Sequence, residues 1–210
     1  MKSNICKLNK DLSCLKEVLN EVEKVTAYNG LEDKKALRLR LLAEELCGML
    51  PGLVENFSGD FWAENDGETY ELHVELKAEY MTIELRDELI SVSKSGKNAA
   101  AKGVMGKIRA VAETMLLVAS DPSLPAPLPE CEFYDYNSYN IGLGYIDPTI
   151  ALETGYSYSW SLYNYKTAVE EKEDDAYAEL ERSIVARLAD DIIVGVRGNN
   201  VEIVVKKSFK

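Results

Sequence analysis

The stretch that decides the fold closes the chain: Glu181-Arg-Ser-Ile-Val-Ala-Arg-Leu-Ala-Asp-Asp-Ile-Ile-Val-Gly-Val-Arg-Gly-Asn-Asn-Val-Glu-Ile-Val-Val-Lys-Lys-Ser-Phe-Lys210. Its first part, Ile-Val-x-x-Leu-Ala-Asp, predicts a helix. Two runs rich in valine and isoleucine follow, and a glycine turn separates them. Such runs favour β-strands. The chain is therefore expected to end in a helix and two strands.

Working back to the N-terminus, residues 3–8 predict a short edge strand, and Asp11 or Ser13 is expected to cap a helix that runs to about Tyr28. Asn29-Gly30 closes this helix, because glycine enters the left-handed conformation without steric cost. A second helix is expected from Leu31 to about Pro51. Its apolar residues are dense enough for a position between two layers.

Three strands are predicted next, over Gly59–Glu64, Tyr70–Lys77 and Met81–Leu85, because apolar and polar residues alternate there. Asn65-Asp-Gly67 is typical of a tight turn and predicts a hairpin between the first two. A further helix is expected over 103–119. The proline-rich residues 121–129 follow and end it. We expect Leu42, Leu46, Ile184, Val185, Leu188 and Val204 to share one core.

This order of elements predicts an α/β fold: a two-layer sandwich with a mixed, largely antiparallel sheet and helices on one face. The 210 residues fit a single domain over 1–210, with 120–178 as an insertion rich in proline and tyrosine. The net charge of −12 argues against nucleic-acid and anionic-membrane partners. Four scattered cysteines and a single histidine predict no metal site, and we expect a cytoplasmic protein with reduced thiols.

The C-terminal stretch resembles the close of the GHKL domain, the ATP-binding module of histidine kinases, anti-sigma-factor kinases, gyrase-type topoisomerases and Hsp90. In element order the chain is most similar to the anti-sigma-factor type, over about residues 3–90 and 179–209. The family opens its last helix with a glycine pair, which here falls on Glu179 and Glu181. Two carboxylates at that place would repel a triphosphate.

The resemblance also implies roles for other residues. Glu44 and Glu45 match the catalytic glutamate, but the magnesium-binding asparagine four residues later is replaced by Gly48 or Met49. A solvated helix edge is the alternative for both glutamates. Asp87 occupies the position of the adenine-binding aspartate, without the family's glycines, and a surface turn is the alternative there.

Residues 93–108 are rich in glycine and lysine and open a predicted helix. Helix starts can bind phosphate. The stretch does not match the P-loop pattern, because Ala101 and Ile108 occupy required positions. It is a weaker candidate for a nucleotide or anion site, and a solvated loop is the equal alternative; the candidate residues are Lys97, Lys102, Gly103 and Gly106.

The insertion carries most of the chain's aromatic residues. Strict alternation places Tyr156, Tyr158 and Trp160 on one strand face, with serines on the other. Tyrosine-rich surfaces favour recognition. We therefore expect these rings to form an exposed or groove-lining patch that binds a partner protein. The alternative is that they cover a face of the sheet.

These observations together predict a GHKL-like regulatory or protein-binding domain with a degenerate nucleotide site and no cofactor. It would bind a protein partner and could form a homodimer. The alternative is an active ATPase or serine/threonine protein kinase that uses ATP and magnesium, with Glu44 or Glu45 as base. A third possibility is ATP binding without hydrolysis.

Overall fold

The computed structural model describes residues 1–9, 13–50, 57–78, 144–145, 158–170 and 183–209, together with five helical positions between 104 and 116. The described strands are β1 Cys6–Leu8, β2 Phe57–Asp66, β3 Thr69–Ala78, β4 Gly144–Tyr145, β5 Tyr158–Ser161, β6 Asp191–Arg197 and β7 Asn200–Ser208. The described helices are α1 Leu15–Tyr28, α2 Asp33–Met49, α3 Leu162–Glu170 and α4 Ile184–Leu188.

The seven strands form one sheet in the order β1-β2-β3-β7-β6-β5-β4. All six pairings are antiparallel. The α/β class and the largely antiparallel sheet are therefore confirmed. No parallel pair occurs among these described strands, so the mixed sheet is not found in this part of the chain.

The two faces of the sheet differ sharply. Successive strand residues point to opposite faces, and the face we call inner is apolar and buried: it carries Phe61, Leu72, Val74, Val194 and Ile203. Side chains from all four helices join the same hydrophobic cluster. The other face, called outer, carries mostly charged and polar residues, among them Lys7, Asp60, Trp62, Glu71, His73, Glu75, Glu202 and Lys206.

The α1–α2 hairpin follows the predicted pattern at its turn. Gly30 has φ +64°, and the amides of Gly30 and Leu31 donate to the carbonyls of Ala27 and Thr26 at 3.1 and 2.9 Å. These two bonds satisfy carbonyls at the helix end. The start of α1 differs from expectation. Asp11 lies outside the described residues, and Ser13 does not cap the helix, because the N-cap position belongs to Cys14 without a side-chain hydrogen bond.

Both predicted hairpins are confirmed, β2–β3 and β6–β7. Gly67 has φ +70° between β2 and β3, and Gly198 has φ +59° between β6 and β7. Asn65 supports the first turn by donating to the carbonyls of Gly67 and Thr69 at 2.8 and 3.1 Å. The edge strand predicted over 3–8 is present as the shorter β1. The strand predicted over Met81–Leu85 lies outside the described residues.

The helix predicted over 103–119 is confirmed at five positions, where helical, buried residues recur at spacings that share one face: Val104, Ile108, Val111, Ala112 and Leu116. The predicted insertion over 120–178 contributes β4, β5 and α3. Leu162 and Tyr165 of α3 belong to the main hydrophobic cluster. This part of the insertion is therefore built into the domain.

The predicted core is partly wrong. Leu42, Leu46 and Val185 are buried in the main cluster, and Leu188 packs against it. Val204 is buried on the outer face, because strand alternation gives the inner face to Val201, Ile203 and Val205. Ile184 is 58% exposed, because the five-residue α4 turns Val185 and Ala186 to the core instead.

Replacement of Ile203 or Ile184 by alanine tests this burial with one chemical change at two sites. Ile203 has no exposed surface, so Ile203→Ala should lower the free energy of unfolding by about 2–5 kcal/mol. Ile184→Ala should change it by less than about 0.5 kcal/mol. Urea denaturation measures both. Equal losses in the two variants would contradict the placement of α4 and β7.

The buried carboxylate of Glu21 joins α1 to the segment before β1. Its Oε2 accepts from the Asn4 amide at 3.1 Å, and its Oε1 accepts from Lys24 Nζ at 2.5 Å. The hydrogen bond from Lys24 lowers the pKa of Glu21 below its ordinary value of 4.5, against the opposing effect of burial. A lowered folded-state pKa stabilises the fold above that ordinary value, and the contribution is lost as pH falls through the folded pKa.

We expect Glu21→Gln to lower the free energy of unfolding by about 1 kcal/mol at neutral pH, because a charged hydrogen-bond acceptor is lost. The difference from the unmodified chain should shrink as the pH falls below 4.5. Urea titrations across this range measure it. A difference that stays constant down to the acid limit of folding would show that the charge of Glu21 is not responsible.

Candidate functional site

The predicted catalytic glutamates, Glu44 and Glu45, lie in the second-last turn of α2. Glu45 is exposed, and Glu44 is half-buried with its Oε1 3.4 Å from Arg40 Nε. Arg40 also forms an ion pair with Glu23 of α1. Glu44 is thus held in a charge network that links the two helices, which agrees with the solvated-edge alternative.

The positions four residues after Glu44 and Glu45 on α2 carry no oxygen ligand. Gly48 is exposed, and a Cβ added there would meet no atom within 4 Å. Met49 packs against the hydrophobic cluster. A magnesium ion needs oxygen ligands in near-octahedral arrangement. The described part of α2 therefore does not fit the family's magnesium site.

The remaining nucleotide-site predictions lie outside the described residues: Asp87, Lys97, Lys102, Gly103, Gly106, Glu179 and Glu181. Val104 and Ile108, which flank Gly106, are helical and buried. These two apolar residues anchor their helix to the core.

The predicted aromatic patch is wrong for one of its three members. Trp160 is only 3% exposed, and its ring lies 5.8 Å from that of the buried Tyr165. It packs on the inner face because it pairs with Val194 of β6, whose side chain is in the core. Tyr158 is the first residue of β5 and pairs with Val196, whereas Tyr156 lies outside the described residues. The alternative, that the rings cover the sheet, holds for Trp160.

The insertion is fixed to the C-terminal elements by polar contacts at helix ends. Asp191 of β6 accepts from the Tyr163 amide at 2.9 Å and from Ser161 Oγ at 3.0 Å, which satisfies the start of α3. Lys166 of α3 donates to the carbonyls of Ala186 and Ala189 at 2.5 and 3.4 Å, at the end of α4. The start of α3 is thereby satisfied by β6, and the end of α4 is satisfied by α3.

The outer face holds a cluster that the sequence did not reveal. The ring of His73 stacks on Trp62, with centroids 4.8 Å apart and planes inclined by 6°. Trp62 Nε1 donates to Glu64 Oε1 at 2.7 Å, and Lys2 Nζ lies 4.2 Å from the ring centroid of Trp62. The ion pair with Lys2 lowers the pKa of Glu64, aided by the Trp62 bond and opposed by burial. The alternation pattern showed that Trp62 and His73 occupy strands, but it did not show that they face each other.

Beside this cluster is a shallow depression of about 330 Å³, lined by Lys7, Leu8, Ser58, Gly59, Asp60, Glu75, Lys77 and Asn200. Lys7 and Asp60 are an ion pair, with Nζ 2.7 Å from Oδ1. A Cβ on Gly59 would lie 2.5 Å from the carbonyl oxygen of Glu75, so only glycine fits this approach of β2 to β3. The two lysines of the lining balance its two carboxylates, so the depression does not favour a ligand of either charge.

The described residues contain no group of three or more potential metal ligands. Their cysteines Cys6, Cys14 and Cys47 are free. Burial raises the pKa of Cys6 to about 11 and that of Cys47 to about 12. Both thiols are therefore protonated and unreactive near neutral pH. In the described part of the chain, no helix has the length and apolarity that crossing a membrane requires.

Comparisons with protein-family models, with curated proteins and with solved structures find no match to this chain. The GHKL resemblance therefore has only the sequence motifs and the order of elements as its basis.

Proposed function

We propose that this chain is a GHKL-like regulatory or protein-binding domain with a degenerate nucleotide site. The order of its described elements supports the proposal: an edge strand, two helices, a hairpin, a later helix and a C-terminal hairpin. A sheet with helices packed on its inner face supports it as well. The insertion adds β4 and β5 beyond β6, at the far edge of the sheet.

The observation that carries the loss of nucleotide chemistry is on α2. A hydrolytic site needs a free carboxylate to orient water and an oxygen ligand for magnesium over the phosphates. Here Glu44 is engaged by Arg40, Gly48 has no side chain, and Met49 faces the core. Glu45 is exposed, but the residue four positions later is Met49, which offers magnesium no oxygen ligand.

A protein partner fits the chain better than a polyanion, since the net charge is −12. Within its described residues, the insertion places the ring of Tyr163 at the surface, because Tyr163 at the start of α3 is 63% exposed. Tyr156 belongs to the same segment, and we propose it with Tyr163 as a partner contact. A homodimer and a cytoplasmic location complete the proposal, the latter with the free thiols of three cysteines in its favour.

The second candidate function is an active ATPase or protein kinase of the anti-sigma-factor type. The exposed Glu45 favours it, because a carboxylate on the predicted helix is accessible to water. Substitution of Gly48 can distinguish the degenerate site from the active one, since a side chain added there meets no neighbour. Gly48→Asn would restore the family's missing ligand, and Gly48→Ala is the matched control.

We expect no binding of magnesium-ATP and no turnover in the unmodified chain, in Gly48→Asn or in Gly48→Ala, because the other motifs are also altered. Calorimetric titration and phosphate release measure this. The active-site alternative predicts that Gly48→Asn binds magnesium-ATP at least about tenfold more tightly than Gly48→Ala, since a restored ligand adds more than about 1.4 kcal/mol. Turnover that is lost in Glu44→Gln or in Glu45→Gln would also overturn the proposal.

The partner surface is tested by Tyr163→Ser and by Tyr156→Ser. Tyr28→Ser is the control, because Tyr28 is 76% exposed on α1 and lies outside the insertion. The insertion variants should weaken binding to a partner isolated with the unmodified chain by at least about tenfold, as loss of an aromatic contact does, while Tyr28→Ser retains it. The opposite pattern would place the interface on the α1–α2 hairpin.

A further inference from the structure

Helix α2 exposes an apolar row on the side that faces away from the core. Leu37 is 56% exposed, Leu41 is half-buried, and Gly48 is exposed with no atom within 4 Å of an added Cβ. Successive spacings of four and seven residues place these three on one line along the helix. The opposite side of α2 is buried in the main cluster through Leu39, Leu42, Ala43, Leu46 and Cys47. α2 therefore has two apolar sides, and one of them is exposed.

A charged row runs beside this apolar row with the same spacing. Lys34, Arg38 and Glu45 are all exposed, and each lies three residues before a member of the apolar row, so the charged row follows one flank of it. In the part of the chain that the structure describes, none of these three side chains has an ion-pair partner, whereas the neighbouring Arg40 and Glu44 pair with each other. The row is basic toward the start of α2 and acidic toward its end.

The order of these charges selects one way of packing two copies of α2. A two-fold axis that reverses the helix direction keeps the charged flank on the same side in both copies. It also brings the basic end of one helix to the acidic end of the other. A parallel pair would turn the two flanks to opposite sides. The charge pattern is thus complementary to itself only in the antiparallel arrangement.

The levels of the residues along the helix agree with this arrangement when the two-fold axis passes beside Leu41. With a rise of about 1.5 Å per residue, Arg38 lies about 4.5 Å from the level of the axis, and Glu45 of the second copy lies about 6 Å from it on the same side. Their side chains can therefore meet, and Leu41 packs against Leu41 of the second copy. Gly48 lies at the level of Lys34 of the second copy, where the absence of a side chain leaves room for the lysine stem.

The overall charge of the chain explains why a second copy would use this helix. A net charge of −12 makes two copies repel each other. α2 is nearly balanced in charge, with four basic and three acidic residues: Lys34, Lys35, Arg38, Arg40, Asp33, Glu44 and Glu45. A contact through α2 therefore adds attraction where the chain as a whole adds repulsion.

We propose that α2 is the dimerisation helix of this chain: two copies pack their apolar rows antiparallel, with Arg38 of each copy beside Glu45 of the other. The inference rests on the homodimer of the proposed function and names its surface. A single pair of helices buries less area than a standard interface, so the dimer should form at high micromolar concentration.

Sedimentation velocity across a concentration series tests the pairing of the charges. Arg38→Glu and Glu45→Arg should each raise the dimer Kd at least about tenfold, because each brings like charges together at both contacts. An equimolar mixture of the two variants should associate again, since every contact between them joins opposite charges. Lys16→Glu on α1 is the control, because it alters an exposed residue and changes the net charge as much as Arg38→Glu does. It should leave the Kd nearly unchanged.

Leu37→Ala tests the apolar row, with Ile5→Ala as the control, since Ile5 is 53% exposed and lies outside α2. Leu37→Ala should weaken the dimer, and Ile5→Ala should retain it. A dimer that Leu37→Ala and both charge variants leave unchanged would keep the proposed homodimer but overturn its placement on α2. Charge variants that dissociate singly and fail to associate as a mixture would overturn the placement too. A chain that stays monomeric at every concentration would overturn the homodimer as well, without bearing on the nucleotide site.

Discussion

The pairing of β3 with β7 is the interaction on which the rest of the described structure depends. Nine residue pairs join the two strands, from Thr69 with Ser208 to Lys77 with Asn200. The intervening chain carries the later helices and the insertion. Closing so long a loop costs conformational entropy, although this cost grows only slowly with loop length. The pairing is supported from the inner face by the apolar contacts of Leu72, Val74, Ile203 and Val205.

Both layers are organised around this seam. The inner face joins the helices in one hydrophobic cluster, because strand alternation turns apolar residues of every long strand to the same side. On the outer face, several charged residues lie opposite one another on the same strands. Ion pairs offset some of them, such as that of Lys206 with Glu71 and that of Lys7 with Asp60. The outer face thus contributes electrostatic balance, and the inner face contributes most of the burial.

Much of this architecture could be predicted from local patterns. Gly30 and Gly67 mark their turns because positive φ suits glycine, and alternation marks β2 and β3 because one face of each is buried. The exposure of Ile184 could not be predicted, since a five-residue helix has too little periodicity to fix its inward face. Trp160 was expected at the surface, yet β5 extends the sheet and buries it.

The candidate site was predictable to a smaller extent. The sequence placed Glu44 and Glu45 on a helix, but the ion pair from Arg40 depends on how α1 packs against α2. The contact of Trp62 with His73 depends on hairpin register, and that of His73 with Glu202 depends on a pairing between distant strands. Such contacts follow from topology, which local pattern does not determine.

Native-state hydrogen exchange tests the central seam most directly. If the sheet depends on the β3–β7 pairing, the amides bonded between these strands should exchange only through global unfolding, at the same free energy for both strands. Urea should then affect them with one common slope. If β2–β3 and β6–β7 instead opened at different free energies, as two independent hairpins, the account of a single sheet closed by this pairing would be contradicted.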